Sequence, residues 1–466
     1  MAGTYREGES KILSGVYSLI IAISTAITAG TRGVVGYPFT SDWGPVNKLV
    51  AGTLGDLRDT YNAVGNTLSV GKVYAHAANG EPSKVLSYRM ASSDAKTGLC
   101  TLDTATDGKA WVFETLYPSA RAFTLSVVAG VEEGYIKMVL TENGTELTTF
   151  LVNTVESLIT MVNASEYIRV KTSQEALPKV NAGTAFQNGN NGSTVTVAQY
   201  SAFLDDLEAD GTANAFSLDG VSDEAIIATV VAWLKEVRQE GFYVTFVTGG
   251  PLTWDAAIDT ANAKSKEYNY RPVINVGNGV DGYSAAEMAI FIAARVAAVA
   301  LNSTLTDETV PYGEVNKRLK RTVRERCRKS GTLIFVMNGD TVEIDEAVNT
   351  LTSPKAGETI EMGSIRVSST IDYVVHDLEV FGEEYKKAKS NTPQYRETYA
   401  AVVTEQYLQP LVAQEILKEG VNYQPDPEYY GEGATKHAKA NEAFFTGDIT
   451  PNESPERIYQ KLSAVF

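Results

Sequence analysis

Residues 272–301, PVINVGNGVDGYSAAEMAIFIAARVAAVAL, decide the fold. The segment predicts a short buried strand at 272–276, a glycine-rich turn, and a helix at 284–301. The helix is almost as long as a membrane span, but Glu287 and Arg295 inside it favour burial within protein. A strand that leads into a buried helix is the repeating unit of an α/β layer.

Further strands and helices alternate on both sides of this segment. Upstream, the sequence predicts a buried strand at 33–37, a helix at 53–61 capped by Thr53, a helix at 223–240 and a strand at 242–247. Downstream, it predicts strands at 333–337 and 341–344 and helices near 372–389 and 396–418. These elements favour an α/β middle region followed by a helical segment.

Residues 91–183 have a different character. Their strand-like runs lie at 110–116, 122–128, 135–140 and 146–152. Asn143-Gly144 joins the last two runs, and an Asn-Gly pair between alternating runs is the strongest short hairpin signal. A small β domain is therefore predicted here, and the turn-rich stretch 187–193 separates it from the next helices.

Composition excludes several classes of protein. The chain of 466 residues has 57 Asp and Glu against 40 Lys and Arg, a net charge of −17, which disfavours non-specific binding to nucleic acid or anionic membranes. Two distant cysteines, Cys100 and Cys327, cannot form a disulfide framework. The apolar stretch 13–29 contains Ser and Thr and follows no basic region, so we expect no secretory signal and assembly in the cytoplasm.

Motifs of catalysis and cofactor binding are not found in the sequence. His76, His376 and His437 are not at zinc-ligand spacings, and no GxGxxG, phosphate-loop or GxSxG segment occurs. We therefore predict no catalytic residue, no metal site and no cofactor, with the histidines as structural or surface residues.

One basic cluster is prominent. Val315, Leu319, Val323 and Cys327 recur every four residues, which predicts a helix at 315–329 with one apolar stripe and Cys327 buried. The other faces would be basic, and we expect them to contact an acidic face of a neighbouring subunit rather than nucleic acid. The basic residues are Lys317, Arg318, Lys320, Arg321, Arg324, Arg326, Arg328 and Lys329.

Both ends of the chain contain apolar, strand-like sequence, at 11–23 and 458–466. Chain termini are usually the least ordered parts of a domain, whereas exposed strands tend to pair with another sheet. The two ends are therefore candidates for extended arms.

Several motifs, in this order, resemble those of contractile-tail sheath proteins of bacteriophages of Gram-positive hosts and of phage-tail-like particles. Ser14 departs from that pattern, because a proline commonly precedes Gly-Val-Tyr. The matching stretches are Gly15-Val16-Tyr17, 32–36, 43–45, 190–192 with Thr196 and Tyr200, 274–276, 293–294 with 302–306, 342–351, and 365–367 with Asp372.

The resemblance implies an α/β and β multidomain fold. Residues 1–30 would form an N-terminal arm and a strand joining the inner domain, and 31–90 with 184–335 a subtilisin-like α/β middle domain without catalytic residues. Residues 91–183 would form an inserted β-sandwich, and 336–466 an α+β C-terminal inner domain with a terminal arm.

The resemblance also implies a structural role rather than an enzymatic one. Subunits would polymerise helically around a tail tube and contract, driving the tube through the host envelope for genome delivery. The implied partners are further copies of the chain, the tube protein, and baseplate and tail terminator proteins, with no direct nucleic-acid contact and no membrane insertion. The protein would lie in the virion tail sheath after assembly in the host cytoplasm.

Specific residues follow from this interpretation. The arms would pair with sheets of neighbouring subunits through Val16, Tyr17, Ile20, Leu462, Val465 and Phe466. Lys386, Lys387 and Lys389 would face the tube, or else form a solvated helix end. Two alternatives stay open: a sheath of a bacteriocin, secretion or extracellular contractile injection system, and a subtilisin-like hydrolase.

Overall fold

The computed structural model describes residues 2–4, 16–18, 32–106, 108–387 and 390–455, the first two ranges by their backbone alone. These residues divide into two compact units. The larger unit comprises 32–376 and 451–455, and the smaller comprises 2–4, 16–18, 377–387 and 390–450. Each unit contains both helices and β-sheets.

The strands are numbered in chain order. They are β1 Ala2–Thr4, β2 Val16–Ser18, β3 Val34–Phe39, β4 Leu49–Gly52, β5 Lys84–Arg89, β6 Leu99–Asp103, β7 Ala110–Thr115, β8 Phe123–Ala129, β9 Ile136–Glu142, β10 Thr145–Val152, β11 Ile168–Thr172, β12 Asn181–Ala185, β13 Ala215–Ser217, β14 Thr245–Gly249, β15 Val273–Val276, β16 Thr309–Val310, β17 Thr332–Leu333, β18 Phe335–Asn338, β19 Thr341–Ile344, β20 Asn422–Pro425 and β21 Phe445–Asp448.

The helices are numbered in the same way. They are α1 Leu54–Thr60, α2 Ser69–Gly80, α3 Val155–Asn163, α4 Val197–Asp210, α5 Glu224–Val237, α6 Thr253–Ala256, α7 Ile258–Tyr268, α8 Ala285–Ala298, α9 Arg321–Lys329, α10 Ile365–Lys386, α11 Pro393–Val402, α12 Gln409–Ala413 and α13 Pro427–Tyr430. A short 3₁₀ helix lies at Ile360–Gly363 and a π-helical segment at Val403–Leu408.

A seven-stranded sheet organises the larger unit, in the order β17-β15-β14-β13-β3-β5-β4. All neighbours pair in parallel except the edge strand β4, which runs antiparallel to β5. The chain builds the sheet outward from β3 in one direction and from β13 in the other, as in doubly wound α/β folds. The predicted strand and helix at 272–301 are confirmed as β15 and α8.

Both faces of this sheet are covered, which explains its continuous apolar strands. Side chains alternate along β3: Val34 joins a core with helices α4 and α5, whereas Val35 joins a core with α2 and α8. Helix α8 is buried along nearly its whole length and begins at Ser284, whose side chain and that of Glu287 form a reciprocal cap.

The β-rich region contains a four-stranded sheet, β10-β9-β8-β12, and a three-stranded sheet, β11-β7-β6. Trp111 and Phe113 from the smaller sheet and Leu125 and Met138 from the larger share one buried core. The predicted Asn143-Gly144 hairpin is confirmed, because both residues lie between β9 and β10 and have positive φ angles, 47° for Asn143 and 82° for Gly144.

Arg89 links the β-rich region to the seven-stranded sheet through hydrogen bonds. Its guanidinium is fully buried and donates to the carbonyls of Gly44 at 2.7 Å, Pro118 at 2.8 Å and Asn191 at 3.2 Å. Burial lowers the pKa of Arg89 to about 10. Trp43 adds an apolar link, because it lies in the core of the β-rich region although it follows β3.

Two predicted helices are wrong in their bounds. The basic helix begins at Arg321 instead of 315, because Val315 forms an isolated bridge with Val280 and the Asn316 side chain bonds to Asp255 at 2.8 Å. The predicted helix at 396–418 is three consecutive segments within 393–413, and Pro410 lacks the N–H that a regular helix would need.

Candidate assembly surfaces

The structure describes part of the predicted N-terminal arm and does not test its contacts with neighbouring subunits. Val16 and Tyr17 lie in β2, which pairs in parallel with β1 through Ala2–Val16 and Gly3–Tyr17. Ile20, Leu462, Val465 and Phe466 lie outside the described residues. The linkage between subunits through these arms therefore stays a prediction.

The smaller unit presents a β-hairpin that could accept additional strands. Strands β20 and β21 pair antiparallel from Asn422–Asp448 to Pro425–Phe445. Among the described residues they form a two-stranded sheet, and a further strand can add at an outer edge of such a sheet. Such edges bind extended peptides mainly through main-chain hydrogen bonds.

The basic residues of 317–329 divide into two groups. In the first group, the arginines pair with buried carboxylates. Arg324 pairs with Asp345, and Arg328 pairs with Glu346. Asp345 and Glu346 are buried, so these pairs fasten α9 to the segment after β19. Cys327 is buried as predicted, and burial raises the pKa of its thiol to about 11.

The second group faces outward. The Arg321 side chain is 91% exposed and pairs with Glu325 one turn later, at 3.1 Å. Arg318 pairs in the same way with Glu314 at 2.9 Å, and Lys317 donates to the Ala256 carbonyl at 3.4 Å. Exposed pairs of this kind stabilise a fold little, so these cations can exchange partners at an interface.

Lys386 and Lys387 lie at the C-terminal end of α10, where cations complement the helix dipole. They pair with Glu383 and Glu384 respectively, and both side chains are 70% exposed. Lys389 lies outside the described residues. This geometry fits a solvated helix end as well as a tube-facing surface, and contact with a tube stays a prediction.

An aromatic cluster in the smaller unit was missed by the sequence prediction. Tyr385, Tyr399, Tyr423 and Phe445 come from α10, α11, β20 and β21, with ring centroids 4.5–5.5 Å apart in the successive pairs Tyr385–Tyr399, Tyr385–Phe445 and Tyr423–Phe445. The available signal was the pair Tyr395 and Tyr399, one helical turn apart on α11.

His76 lies on α2 in the larger unit and is buried. Its Nδ1 lies 2.9 Å from the Tyr312 hydroxyl and its ring contacts Tyr283 edge-on at 4.6 Å. Burial lowers the pKa of His76 to about 4. The ring is therefore a neutral core group with a tyrosine partner, whereas a serine hydrolase needs a serine at this distance.

This burial predicts acid sensitivity. Below its ordinary pKa of about 6.5 the unfolded chain takes up a proton on His76 that the folded chain binds only below about 4, so stability falls as the pH falls. The loss between these pH values is up to about 3 kcal/mol. We expect His76→Gln to remove this part of the pH dependence, as measured by urea unfolding at pH 7.5 and pH 5; parallel pH dependence in both proteins would contradict it.

Within the described ranges, no group of three His, Cys, Asp or Glu side chains could hold a metal ion. Over the same residues, the search for helices long and apolar enough to cross a membrane finds none.

No family model matches the sequence. Among curated proteins, the chain is 23% identical over 398 residues to the uncharacterized protein YqbK of Bacillus subtilis strain 168, which covers 81% of each chain. This degree of identity is too low to assign a function.

Solved structures are more informative. The chain is similar to a sheath tail protein from Desulfitobacterium hafniense, with a TM-score of 0.71 at 19% identity over 94% of this chain and all of that one. A sheath tail protein from Listeria innocua matches with a TM-score of 0.67 at 18% identity over 91% and 97%. The contracted helical sheath of the anti-feeding prophage matches with a TM-score of 0.55 at 10% identity over 97% and 99%. The resemblance seen in the sequence is confirmed at the level of the fold.

Proposed function

We propose that this chain, whose fold is that of sheath tail proteins, is the structural subunit of a contractile tail sheath. Copies would polymerise helically around a tube, and contraction would drive the tube through an envelope. The observation that carries this proposal is the match over 94% of the chain to a complete sheath tail protein. A match over nearly the whole chain is more specific than a match over a single domain.

A helical polymer needs a heterologous interface, in which two different surfaces of one subunit meet on successive copies. The terminal arms and the hairpin β20–β21 would supply such a pair, with arm residues adding strands to the hairpin edges of a neighbour. This connection could persist during contraction while the larger units change their contacts. It requires no cofactor, because the energy is stored in the extended assembly.

We assign finer domain identities as part of the proposal. The parallel sheet with helices on both faces supports the subtilisin-like domain at 31–90 and 184–335. The core shared by two sheets supports the β-sandwich at 91–183. The inner domain at 336–466 would include the smaller unit, although described residues 336–376 belong to the larger one.

The partners in this proposal are further copies of the chain, a tube protein, and baseplate and terminator proteins, in a virion tail assembled in the host cytoplasm. A matched structure of the anti-feeding prophage baseplate, with a TM-score of 0.55 at 9% identity, supports association with a baseplate. A bacteriocin, secretion or extracellular injection sheath would use the same chemistry. Gene neighbours separate these cases: capsid and terminase genes favour a phage, whereas toxin cargo favours an injection system.

The exposed basic group gives one test of assembly. Arg321→Glu changes a 91% exposed side chain, so we expect the fold to persist while the salt dependence of assembly decreases, since one cation is lost from the interface. Arg58→Glu is the control, because Arg58 is a half-exposed arginine outside the basic segment. Turbidity and pelleting between 50 mM and 500 mM salt measure the effect, and identical salt curves for Arg321→Glu and the wild type would contradict it.

The proposal is tested by purifying the overexpressed protein and imaging it with negative-stain electron microscopy. Hollow tubes with a regular helical repeat are the expected result. Monomers under every condition, combined with labelling of a single serine by a fluorophosphonate probe, would favour the hydrolase alternative instead.

A further inference from the structure

A cavity of about 590 Å³ lies within the smaller unit, between the end of α10, helix α11 and the hairpin β20–β21. Aromatic rings form much of its wall, and carboxylates and amides line its mouth. Residues lining the cavity include Tyr385, Tyr399, Tyr423, Phe445, Glu379 and Glu383. Its volume is within the usual range for a ligand site.

We propose that this cavity binds the guanidinium group of an arginine side chain from a second copy of the chain. The inference rests on the proposed sheath function, because it names a contact between subunits. It differs from the strand pairing of the arms, since it uses side chains inside the unit rather than the edges of the hairpin.

The wall has the chemistry that recognises an organic cation. Aromatic ring faces attract cations, and the attraction is larger when several rings enclose the charge. Tyr399 is buried, whereas Tyr385, Tyr423 and Phe445 are half-buried residues, and the rings of Tyr423 and Phe445 stack with centroids 5.4 Å apart. The smaller unit already contains this interaction, because the Arg396 guanidinium lies 4.1 Å from the ring centroid of Tyr430 and the Lys436 ammonium lies 5.5 Å from that of Tyr429.

The mouth has the charges to complete such a site. Glu379 and Glu383 line the cavity and are exposed, and Lys386 lines it as the partner of Glu383. That pair is 65% and 70% exposed, so it contributes little and can exchange for a bidentate guanidinium–carboxylate pair. Lys386 then moves into solvent.

Charge complementarity points to a second copy as the source. The smaller unit carries 13 Asp and Glu against six Lys and Arg in its described residues 377–387 and 390–450. The densest basic stretch of the chain is 317–329, with eight Lys and Arg against one Glu, and the Arg321 side chain in that stretch is 91% exposed. In a homopolymer every copy supplies both surfaces.

Ligand-observed NMR on the full chain tests the cation site. The probe is N-acetyl-arginine amide, and the matched uncharged probe is N-acetyl-citrulline amide. We expect saturation transfer and a dissociation constant near 1 mM for the arginine probe, at least about fivefold tighter than for citrulline. Equal binding of both probes, or of neither, would overturn the proposal.

Two glutamates provide a matched pair of variants. Glu383→Gln should weaken arginine binding about tenfold, because it removes a charged hydrogen-bond acceptor from the cavity. Glu384→Gln removes an equivalent exposed pair with Lys387, outside the cavity wall, and should leave binding unchanged. Equal weakening by both variants would mean a general charge effect and would overturn the site.

Assembly tests the source of the arginine. If a second copy supplies it, 50 mM of the arginine probe reduces tube formation relative to the citrulline probe at equal ionic strength, and Glu383→Gln reduces it without any probe. Binding with unchanged assembly would overturn the second-copy source. An absence of tubes in every sample would overturn that source together with the proposed function, whereas the NMR titration would still decide the cation site.

Discussion

Replacing Asp372 by alanine is expected to destabilise the larger unit by about 3–5 kcal/mol. Asp372 is 6% exposed and accepts hydrogen bonds from Arg238 at 2.6 and 3.1 Å and from Arg271 at 2.6 Å. Burial alone would lower the pKa of Arg238, but Asp372 holds it above its ordinary value. Without the carboxylate, two arginines are left in a desolvated site without their counter-ion. Equilibrium unfolding in guanidinium chloride measures the loss.

Two controls distinguish this effect from a general loss of charge. Asp59→Ala removes an exposed carboxylate that also pairs with an arginine, and its unfolding midpoint should equal that of the wild type. Combining Asp372→Leu with Arg238→Met and Arg271→Met should restore most of the stability, because apolar groups replace the whole network. A wild-type midpoint for Asp372→Ala would contradict the role assigned to the network.

Removing the last eleven residues, 456–466, is expected to lower the assembled fraction by about two orders of magnitude. The apolar sequence of this segment supplies the predicted arm contacts, and losing one of two linked contacts removes the avidity of the other. The monomer should keep its unfolding midpoint. Pelleting and electron microscopy at matched protein concentration measure the assembled fraction.

A variant of equal length shows whether the sequence of this segment matters or only its length. Replacing 456–466 by eleven Gly and Ser residues keeps the chain length but removes Leu462, Val465 and Phe466, and it should fail in the same way as the deletion. Full-length tubes from the deletion variant would refute the role of the C-terminal arm. Recovery by the Gly and Ser segment would mean that length matters and these side chains do not.

Local signals explain which elements were predictable. The strand Thr341–Ile344, the Thr53 cap and the Asn143-Gly144 hairpin depend on neighbouring residues, and all three are confirmed. Helices α2 and α7 are not predicted from the sequence, because they depend on tertiary contacts rather than on a pattern among neighbouring residues. Helix α7 is mostly polar, and α2 contains Gly80, where an added Cβ would approach the Ala294 Cβ of helix α8 to 2.3 Å.

The candidate surfaces likewise combine features that a local pattern predicts with features that depend on tertiary contacts. The four-residue spacing predicts the buried Cys327 correctly, but it cannot show that Arg324 and Arg328 are held by Asp345 and Glu346. The Asp372 network joins residues 134 and 101 positions apart, and the aromatic cavity draws on four separate elements. Such sites depend on tertiary contacts, which a single sequence does not encode in any short pattern.

The central claim is that identical copies of this chain form an open helix with continuous connections between neighbours. Cryo-electron microscopy of the overexpressed protein, with helical reconstruction, tests it most directly. We expect a hollow tube in which density for the terminal segments runs into the sheet of the hairpin β20–β21 of an adjacent subunit. Closed rings, or a helix in which each hairpin remains two-stranded, would contradict it.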